Sequence, residues 1–410
     1  MSSNRPLLVF ADDWGRHPSS CQHLVGQILP GRETLWVNTI GTRTPRLDLA
    51  TVRRASGKLL GWARPHRLHP GSTAVQIPGG LRVTSPKMWP WFTHSHDRWL
   101  NRKLLARHLV PLINEMEEPP TAVTTLPIVA DIMPMLPVRS WVYYCVDDFS
   151  EWPGLDRKTM ARMEREAIDR ADRIIAVSRT LQDRIAGFGR QADLLTHGVD
   201  RDFWKHPADV PMSWLRERLS AESASRLEGS LVVFWGVIDP RMDSEAIVEL
   251  SRALGSSATI VLAGPEQDAD PELSRLANVV KTGALPFADL PKLARLADVL
   301  MMPYVDRPVT RAMQPLKLKE YLATGKPVVV RDLPANREWA DSLDLASSAE
   351  GFAHAVVMRL KDGIDPAQTV ARERLRHEGW KAKAVEFQEW LDVVPARPAI
   401  RSEGEIVLPT

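Results

Sequence analysis

The sequence predicts an α/β protein with two parallel sheets, and three observations support this prediction. Apolar runs of strand length alternate with helical segments along the chain, which is the pattern of parallel sheets. The alternation stops near residues 200–212, where charge and proline interrupt it, and then starts again. The 410 residues, 44% of them hydrophobic, suffice for two domains with ordinary cores.

The first predicted series of strands and helices occupies residues 1–203. Its strand candidates are the runs 7–11, 34–38, 123–126, 141–146, 173–178 and 192–195. Open α/β sheets bind ligands at the carboxyl ends of their strands. The loop after residue 11, which contains His17, and the pair Asp147 and Asp148 are therefore candidate site positions. The first loop lacks Gly-x-Gly-x-x-Gly, so no motif supports a dinucleotide site.

The second series occupies residues 204–375 and repeats the alternation. Its strand candidates are 231–235, 258–262, 278–280, 299–302 and 328–330. A last helix is predicted over about residues 368–391, with Gly379 as a potential break. Residues 396–410 are predicted to form a loose tail.

Residues 314–330 carry the clearest local signals. Pro315 suits the first position of a helix, and Gly325 suits a left-handed helix stop before a buried strand. Lys317 and Glu320 are three residues apart, so they share a face near the N-terminal end of this helix. An amine and a carboxylate beside a positive helix end suit a phosphorylated sugar. An exposed salt bridge explains the same pair equally well.

Composition excludes several classes of protein. A net charge of +2 provides no overall case for nucleic acid binding. Two cysteines cannot form a disulfide framework or a metal cluster, and a buried thiol is a better interpretation of Cys21 than a nucleophile. No apolar run reaches the ~20 residues of a membrane span. The short polar start does not resemble a signal peptide, so we expect a cytoplasmic protein.

Residues 43–107 combine cations with tryptophans. The cations include Arg43, Arg46, Arg53, Arg54, Lys58, Arg64, Arg67, Arg98, Arg102, Lys103 and Arg107, and the indoles are those of Trp62, Trp89, Trp91 and Trp99. This mixture suits peripheral contact with an anionic membrane. Solvated helix faces with some buried tryptophans are an equally good explanation, and nucleic acid is a weaker one.

Several short motifs follow one another in a characteristic order. They are Val146-Asp147-Asp148, Met163-Glu164, Ala171-Asp172 to Ser178, His197-Gly198-Val199-Asp200, Trp235-Gly236 with Asp239-Pro240-Arg241, Gly264-Pro265, and Pro315 to Val329. In this order the chain resembles the retaining glycosyltransferases of GT-B architecture, the group 1 family that includes teichuronic acid and exopolysaccharide transferases. The resemblance runs over nearly the whole length.

This resemblance implies two Rossmann-like domains that face each other across a cleft, with residues 376–395 forming a helix that returns to the first domain. It also implies a nucleotide-sugar donor and a glycan or lipid-linked acceptor. Donor binding is assigned to Gly236, Arg241, Gly283, Leu285, Leu316, Lys317 and Glu320. Glu320 would bind the ribose hydroxyls, Arg241 and Lys317 would neutralise the diphosphate, and the base would rest against residues 282–285.

The sequence departs from the family at one position. Many relatives carry a second glutamate eight residues before the position of Glu320, and this chain has Ala312 there. That glutamate usually handles the donor sugar, so Gln314 or Arg311 is a candidate replacement.

No metal or other cofactor is expected, because cationic side chains and helix ends can stabilise the leaving diphosphate. Asp268 and Asp270 form an Asp-x-Asp pair that only weakly suggests a metal. Candidates for an acceptor base are Asp147, Asp148, His17 and His23. Two other functions stay open, namely a catalytically silent scaffold of the same fold, which Ala312 motivates, and a nucleotide-sugar epimerase.

Overall fold

The computed structural model describes residues 5–16, 18–38, 77–205 and 209–394. The first domain contains a parallel sheet of seven strands in the order β3-β2-β1-β4-β5-β6-β7. The strands are β1 (Leu7–Ala11), β2 (Thr34–Asn38), β3 (Leu81–Thr84), β4 (Thr121–Thr124), β5 (Ser140–Cys145), β6 (Arg173–Ala176) and β7 (Asp193–Leu194). The helices are α1 (Ser20–Ile28), α2 (Ser95–Asn114), α3 (Arg157–Arg170) and α4 (Arg179–Gly187).

The second domain contains a parallel sheet of six strands in the order β10-β9-β8-β11-β12-β13. The strands are β8 (Ser230–Trp235), β9 (Ala258–Ala263), β10 (Val279–Gly283), β11 (Val299–Met302), β12 (Val328–Arg331) and β13 (Asp344–Ala346). Its helices begin with three short ones, α5 (Arg201–Lys205), α6 (Met212–Arg216) and α7 (Ala221–Ser225). They continue with α8 (Ser244–Leu254), α9 (Leu290–Leu296), α10 (Pro308–Ala312), α11 (Leu316–Ala323), α12 (Pro334–Arg337), α13 (Ala349–Asp362) and α14 (Pro366–Ala371). Helix α15 (Trp380–Asp392) ends the described chain.

Both sheets reverse their strand order at one point. In the first sheet this point lies between β1 and β4, and in the second it lies between β8 and β11. Loops leave such a point in opposite directions and open a crevice at the carboxyl ends of the strands. The segments after β8 and β11, which carry residues 236–241 and 303–317, are therefore placed at the crevice of the second sheet.

Each sheet lies in its own hydrophobic core, and one element changes sides. Phe387 and Leu391 of α15 are buried in the core of the first domain, although the second domain precedes α15 in the sequence. The Phe387 ring lies 5.7 Å from that of Tyr144 in β5. The two segments that cross between the domains run side by side, and the Val199 amide donates to the Glu378 carbonyl at 2.8 Å.

Some predicted elements differ from the structure. The last helix is interrupted at Gly379, where the sequence indicated a potential break, and the part before it is divided further, so that residues 366–392 form α14, a 3₁₀ segment (Arg372–His377) and α15. Pro315 lies just before the first helical residue instead of being that residue. Sequence reasoning missed β3, β13 and the 20-residue helix α2. Both cysteines are buried, as expected of structural thiols.

No helix in the described ranges is long and apolar enough to cross a membrane.

Candidate functional site

Helix α11 begins at the crevice of the second sheet. Its residues Leu318, Tyr321 and Leu322 are buried in the second core, and this apolar face fixes the helix on the sheet. The Tyr321 hydroxyl accepts a hydrogen bond of 3.0 Å from the backbone amide of Trp235 at the end of β8. Gly325, with φ of +76°, ends the segment in the left-handed region that a glycine adopts without strain. The other face of α11 carries Lys317 and Glu320.

Glu320 is half-buried against the end of β8. The Trp235 indole donates to the Glu320 Oε2 atom at 3.5 Å, and the same indole packs edge-on against Tyr321 at 4.2 Å. Burial raises the pKa of Glu320 to about 7, although the Trp235 hydrogen bond and the Lys317 charge oppose this rise. The carboxylate is therefore poised to gain or lose its charge near neutral pH.

Lys317 is held close to the backbone of the loop after β8. Its Nζ lies 2.7 Å from the Tyr304 hydroxyl and 4.5 Å from the centre of the Phe234 ring. A Cβ built on Gly236 would lie 2.0 Å from this Nζ, and one built on Gly264 would lie 1.8 Å from the Gly236 carbonyl oxygen. A side chain at position 236 would clash with Lys317, and one at position 264 would clash with the Gly236 backbone, so both positions favour glycine. The Gly236 backbone therefore lies directly beside the Lys317 ammonium.

Arg241 connects the two domains. Its guanidinium donates three hydrogen bonds to the Asp239 carboxylate, at 2.7, 3.0 and 3.1 Å. The same group lies 4.7 Å from the Trp152 ring of the first domain. Burial opposes the charge, but the bonds to Asp239 raise the pKa of Arg241 overall. This cation therefore stays charged at the interface of the domains.

Asp147 and Asp148 have different surroundings at the end of β5. Burial raises the pKa of Asp147 to about 7, and the Arg241 charge opposes the rise, so the structure brings these two candidates together across the cleft. Asp148 Oδ1 accepts from the amide and hydroxyl of Ser150 at 3.0 and 2.6 Å, and its Oδ2 lies 3.3 Å from Arg184. Asp148 thus fixes its loop, whereas Asp147 faces the second domain.

The two histidine candidates, His17 and His23, have different outcomes. His17 lies outside the described residues. The His23 ring stacks on Trp380 of α15 at 4.5 Å and 10°. Burial lowers the pKa of His23, which favours a neutral ring packed between α1 and α15.

The remaining donor candidates lie on other segments. Gly283, with φ of +68°, ends β10 and is exposed, and Leu285 packs against the second core. Leu316, the first residue of α11, packs instead against the core of the first domain. The start of α11 therefore lies where the domains meet, whereas residues 283–285 lie at the outer strand of the second sheet.

The segment around Ala312 also contacts the first domain. Ala312 is buried, and the Ser178 hydroxyl donates to its carbonyl at 2.9 Å. Arg311 is exposed and pairs with Asp306 at 2.5 Å. Gln314 is only 5% exposed. Of the two residues predicted to replace the missing glutamate, only Gln314 is inside the protein.

Sequence reasoning missed three contributors to this site. Trp152, Tyr304 and Asp239 contact Arg241 or Lys317. Asp239 stands in the quoted Asp-Pro-Arg motif, so its two-residue spacing from Arg241 could have suggested an ion pair. Nothing in the sequence around Trp152 or Tyr304 indicates these contacts.

No group of three or more histidine, cysteine, aspartate or glutamate residues suited to a metal occurs in the ranges that the structure describes. Asp270 of the Asp-x-Asp pair caps a 3₁₀ segment by accepting from the Glu272 amide at 2.9 Å. The position of the Asp270 carboxylate is therefore explained by capping of this segment, without a metal.

Comparison with known proteins confirms the resemblance. Residues 230–362, which include the loop after β8 and helix α11, match the model of the family Glycosyl transferases group 1. The chain is also similar to TuaH of Bacillus subtilis (strain 168), which carries the name of a teichuronic acid biosynthesis glycosyltransferase. The two are 32% identical over 188 residues, and the match spans 44% of this chain and 45% of the relative.

Solved structures confirm the GT-B fold. Anabaena HepE, in complex with UDP and glucose, has a TM-score of 0.62 at 17% identity, covering 95% of this chain and 100% of its own. Sucrose-phosphate synthase from Thermosynechococcus elongatus has a TM-score of 0.67 at 15% identity, covering 94% and 98%. An E. coli trehalose-6-phosphate protein bound to UDP-2-fluoro glucose has a TM-score of 0.65 at 13% identity, covering 96% and 100%.

Proposed function

We propose that this chain is a glycosyltransferase that moves a sugar from a nucleotide-sugar donor to a hydroxyl of a glycan or lipid-linked acceptor in cell-envelope glycan synthesis. The observation that carries the proposal is the placement of Lys317 and Glu320 on one face of α11 at the crevice of the second sheet. The group 1 match over this region supports it. The similarity to TuaH supports the envelope-glycan role.

The chemistry requires stabilisation of a nucleoside diphosphate as it leaves. Negative charge grows on the diphosphate while the bond to the sugar breaks, so fixed cations contribute most in the transition state. Lys317 lies against the Gly236 backbone, where a phosphate can approach closely, and Arg241 is held at the domain interface. In this proposal these cations replace a metal ion, and the Glu320 carboxylate accepts hydrogen bonds from the ribose hydroxyls.

The donor is proposed to be a UDP-sugar. The HepE structure holds UDP and glucose, and the E. coli structure holds UDP-2-fluoro glucose, in proteins with the same fold.

Asp147 is the favoured acceptor-side group, because it faces Arg241 and its pKa of about 7 allows it to exchange a proton near neutral pH. Retention of configuration rests on the family resemblance.

Isothermal titration with UDP and UDP-glucose tests the donor site. The wild-type chain is expected to bind, and Glu320→Gln or Lys317→Met is expected to weaken binding by about tenfold or more, since each removes a charged partner. Glu350→Gln provides a matched control, because Glu350 is exposed in the first turn of α13. The donor-site proposal fails if the wild type binds no nucleotide, or if the control weakens binding as much as Glu320→Gln.

Binding without turnover is the second candidate function, and the buried Ala312 at the family's glutamate position favours it. NMR of the wild-type chain with UDP-glucose separates the two. Release of UDP, by hydrolysis or transfer, supports the transferase, whereas tight binding with no release supports a silent scaffold. A product that requires an added acceptor excludes an epimerase.

We also propose peripheral membrane contact at an inner membrane face, which would leave the protein cytoplasmic. Residues 43–76 of the predicted contact region lie outside the described ranges, so the proposal rests on α2. Trp99 is 48% exposed with Lys103 at 4.1 Å over its ring, and Arg102 and Arg107 are exposed on the same helix. Exposed indole and cations suit anionic headgroups.

A further inference from the structure

Lys319, in the middle of α11, is a buried lysine. Only 1% of the residue is exposed, and lysines are rarely buried to this degree unless they are paired. It directly precedes Glu320, yet its ammonium contacts other parts of the chain. Although α11 belongs to the second domain, the partners of Lys319 belong to the two segments that cross between the domains. We call residues 196–199 the first crossing and residues 378–380 the second crossing.

Each of these contacts uses one of the three N–H donors of the ammonium. On the first crossing, Lys319 Nζ lies 2.6 Å from the His197 carbonyl and 3.1 Å from the Thr196 hydroxyl. On the second crossing, it lies 2.5 Å from the Glu378 carboxylate. Because all three donors have partners, the buried charge is fully satisfied. One side chain therefore fastens both crossings to α11.

Lys383 in the first turn of α15 reinforces the same cluster. Its Nζ lies 3.0 Å from the Glu378 carboxylate and 3.2 Å from the Thr196 hydroxyl. Replacement of Lys319 would thus leave Glu378 with a cationic partner, so the fold does not depend on Lys319 to neutralise that carboxylate. What would be lost is the hydrogen-bonded connection that one side chain of α11 makes to both crossings.

The first crossing also packs closely against the start of α15. A Cβ built on Gly198 would lie 2.7 Å from the Trp380 ring, so the first crossing lies directly against the start of α15. The Trp380 ring in turn stacks on His23 of α1 in the first domain. Trp380 thus connects the second crossing to the first domain, whereas Val199 of the first crossing is buried in the second core. Lys319 connects α11 of the second domain to both crossings at this junction of the domains.

We propose that Lys319 is an interdomain positioning residue. Its hydrogen bonds to the crossings set the orientation in which α11, with Lys317 and Glu320, meets the first domain. An apolar side chain at this position would fill the core but could not bond to both crossings. The consequence for sugar transfer rests on the proposed function, whereas the effect on domain orientation does not.

Distance measurements between the domains test the proposal. Cys21 and Cys145 are buried, so spin labels attach selectively to cysteines introduced at the exposed positions Arg107 in α2 and Lys361 in α13. Double electron–electron resonance on the full chain should show one narrow distance distribution with unmodified Lys319. Lys319→Met should broaden this distribution by about twofold or more. Lys319→Arg should narrow it again to nearly the wild-type width, because arginine can still donate to both crossings. A distribution of unchanged width in Lys319→Met overturns the proposal.

A matched control separates this effect from the loss of any lysine on α11. Lys326 follows the other end of the helix, and its Nζ bonds to the Arg295 carbonyl within the second domain. Lys326→Met should leave the distribution unchanged. Broadening as large as in Lys319→Met would show that the effect is not specific to the crossings and would contradict the proposal.

Hydrogen exchange provides a second measurement, with a variant that keeps both lysines and removes one of their shared partners. Thr196→Val removes the hydroxyl that both lysines contact and keeps the side-chain shape. Amides of residues 196–199 and 378–380 should exchange about tenfold faster in this variant, with both sheets unchanged. If Lys319→Met does not fold, this experiment decides, and unchanged exchange at the crossings refutes the proposal.

The activity readout distinguishes positioning from donor binding. Because Lys317 and Glu320 remain in Lys319→Met, its Kd for UDP should stay within roughly threefold of the wild-type value. Sugar transfer from UDP-glucose should fall by about tenfold through kcat. If the wild type shows no transfer, the proposed function is affected, but the distance and exchange results still test the role of Lys319.

Discussion

Glu320 shows how the surroundings of one side chain decide its charge. On an isolated helix, the three-residue spacing from Lys317 would produce an ordinary exposed pair of little energetic consequence. In the folded chain the carboxylate is packed against Trp235, and burial raises its pKa to about 7. Burial favours the protonated form, so any stability that this group contributes is lost as the pH rises through that value. The ionised form, which the proposed binding of the ribose hydroxyls requires, accumulates over the same range.

The titration of Glu320 should make UDP binding depend on pH. UDP affinity of the wild type should rise between about pH 6 and about pH 8, because the ribose hydroxyls need the ionised carboxylate of Glu320 as an acceptor. Titration calorimetry across this range measures the effect. UDP has its own phosphate ionisation, so the informative quantity is the difference from Glu320→Gln, which should show a weaker pH dependence. If UDP affinity changed with pH in the same way in the wild type and in Glu320→Gln, the titration of Glu320 would have no part in donor binding.

At the scale of single elements, α2 presents two contrasting faces. Its buried positions recur every four residues, at Asp97, Asn101, Leu105, Leu109 and Ile113. Two of them are polar, and both bond to the preceding loop, where Asp97 accepts from the Trp89 indole at 2.8 Å. This explains why the apolar pattern did not predict the helix. The exposed side carries Trp99, Lys103 and Arg107.

We expect this exposed side to bind anionic vesicles. Sedimentation with phosphatidylglycerol vesicles should recover the wild-type chain, and phosphatidylcholine vesicles should not. The double variant Lys103→Glu and Arg107→Glu should lower the partition coefficient by about tenfold or more, since each cation contributes about 1 kcal/mol near such a surface.

The matched control for this experiment changes the charge by the same amount elsewhere. Lys361 in α13 and Lys381 in α15 are exposed, and their replacement by glutamate should leave vesicle binding within about threefold of wild type. An equal loss in the control would indicate a response to net charge alone, which would contradict a binding face on α2.

At the scale of the whole molecule, α15 makes the first domain depend on the end of the chain. Phe387 is fully buried in the first core, more than 180 residues from most strands that it helps to cover. Sequence order alone would assign this helix to the second domain, which precedes it. The family resemblance predicted its return to the first domain, and the buried contacts of Phe387 and Leu391 place it there.

Phe387→Ala should therefore destabilise the first domain. Removing a buried ring should lower the free energy of unfolding by about 3–5 kcal/mol. Hydrogen exchange should accelerate mainly in β5, where Tyr144 contacts Phe387, and little in β8. Phe352→Ala is the matched control, because Phe352 is equally buried in the second core and should accelerate exchange in β11 and β12, which α13 contacts. The same exchange pattern in both variants would contradict a separate core for each domain.

Much of the local structure could be predicted from the sequence because it depends on near neighbours. The alternating apolar runs predicted two parallel sheets, and Gly325 predicted the end of α11. The spacing of Lys317 and Glu320 predicted that they share a face. The domain boundaries and the roles of the site residues stay predictions, since no comparison tests them.

Contacts between segments distant in the chain could not be predicted in this way. Lys319 looks like an ordinary solvated helix residue in the sequence, and only the position of the crossings makes it a buried, fully bonded cation. Trp152 stands in a polar loop, and only the approach of the domains brings it to Arg241. Asp147 and Asp148 are chemically identical neighbours until the fold directs one to the cleft and the other to Arg184.

By itself, therefore, the sequence determined the α/β class, the repeated alternation of strands and helices and the residue pair on α11, because hydrophobic periodicity and helix-end preferences act within a few residues. Only the tertiary structure decided which charges are buried and which carboxylate faces the cleft. Burial and electrostatic environment depend on what packs against a side chain, and most of those partners come from distant parts of the chain.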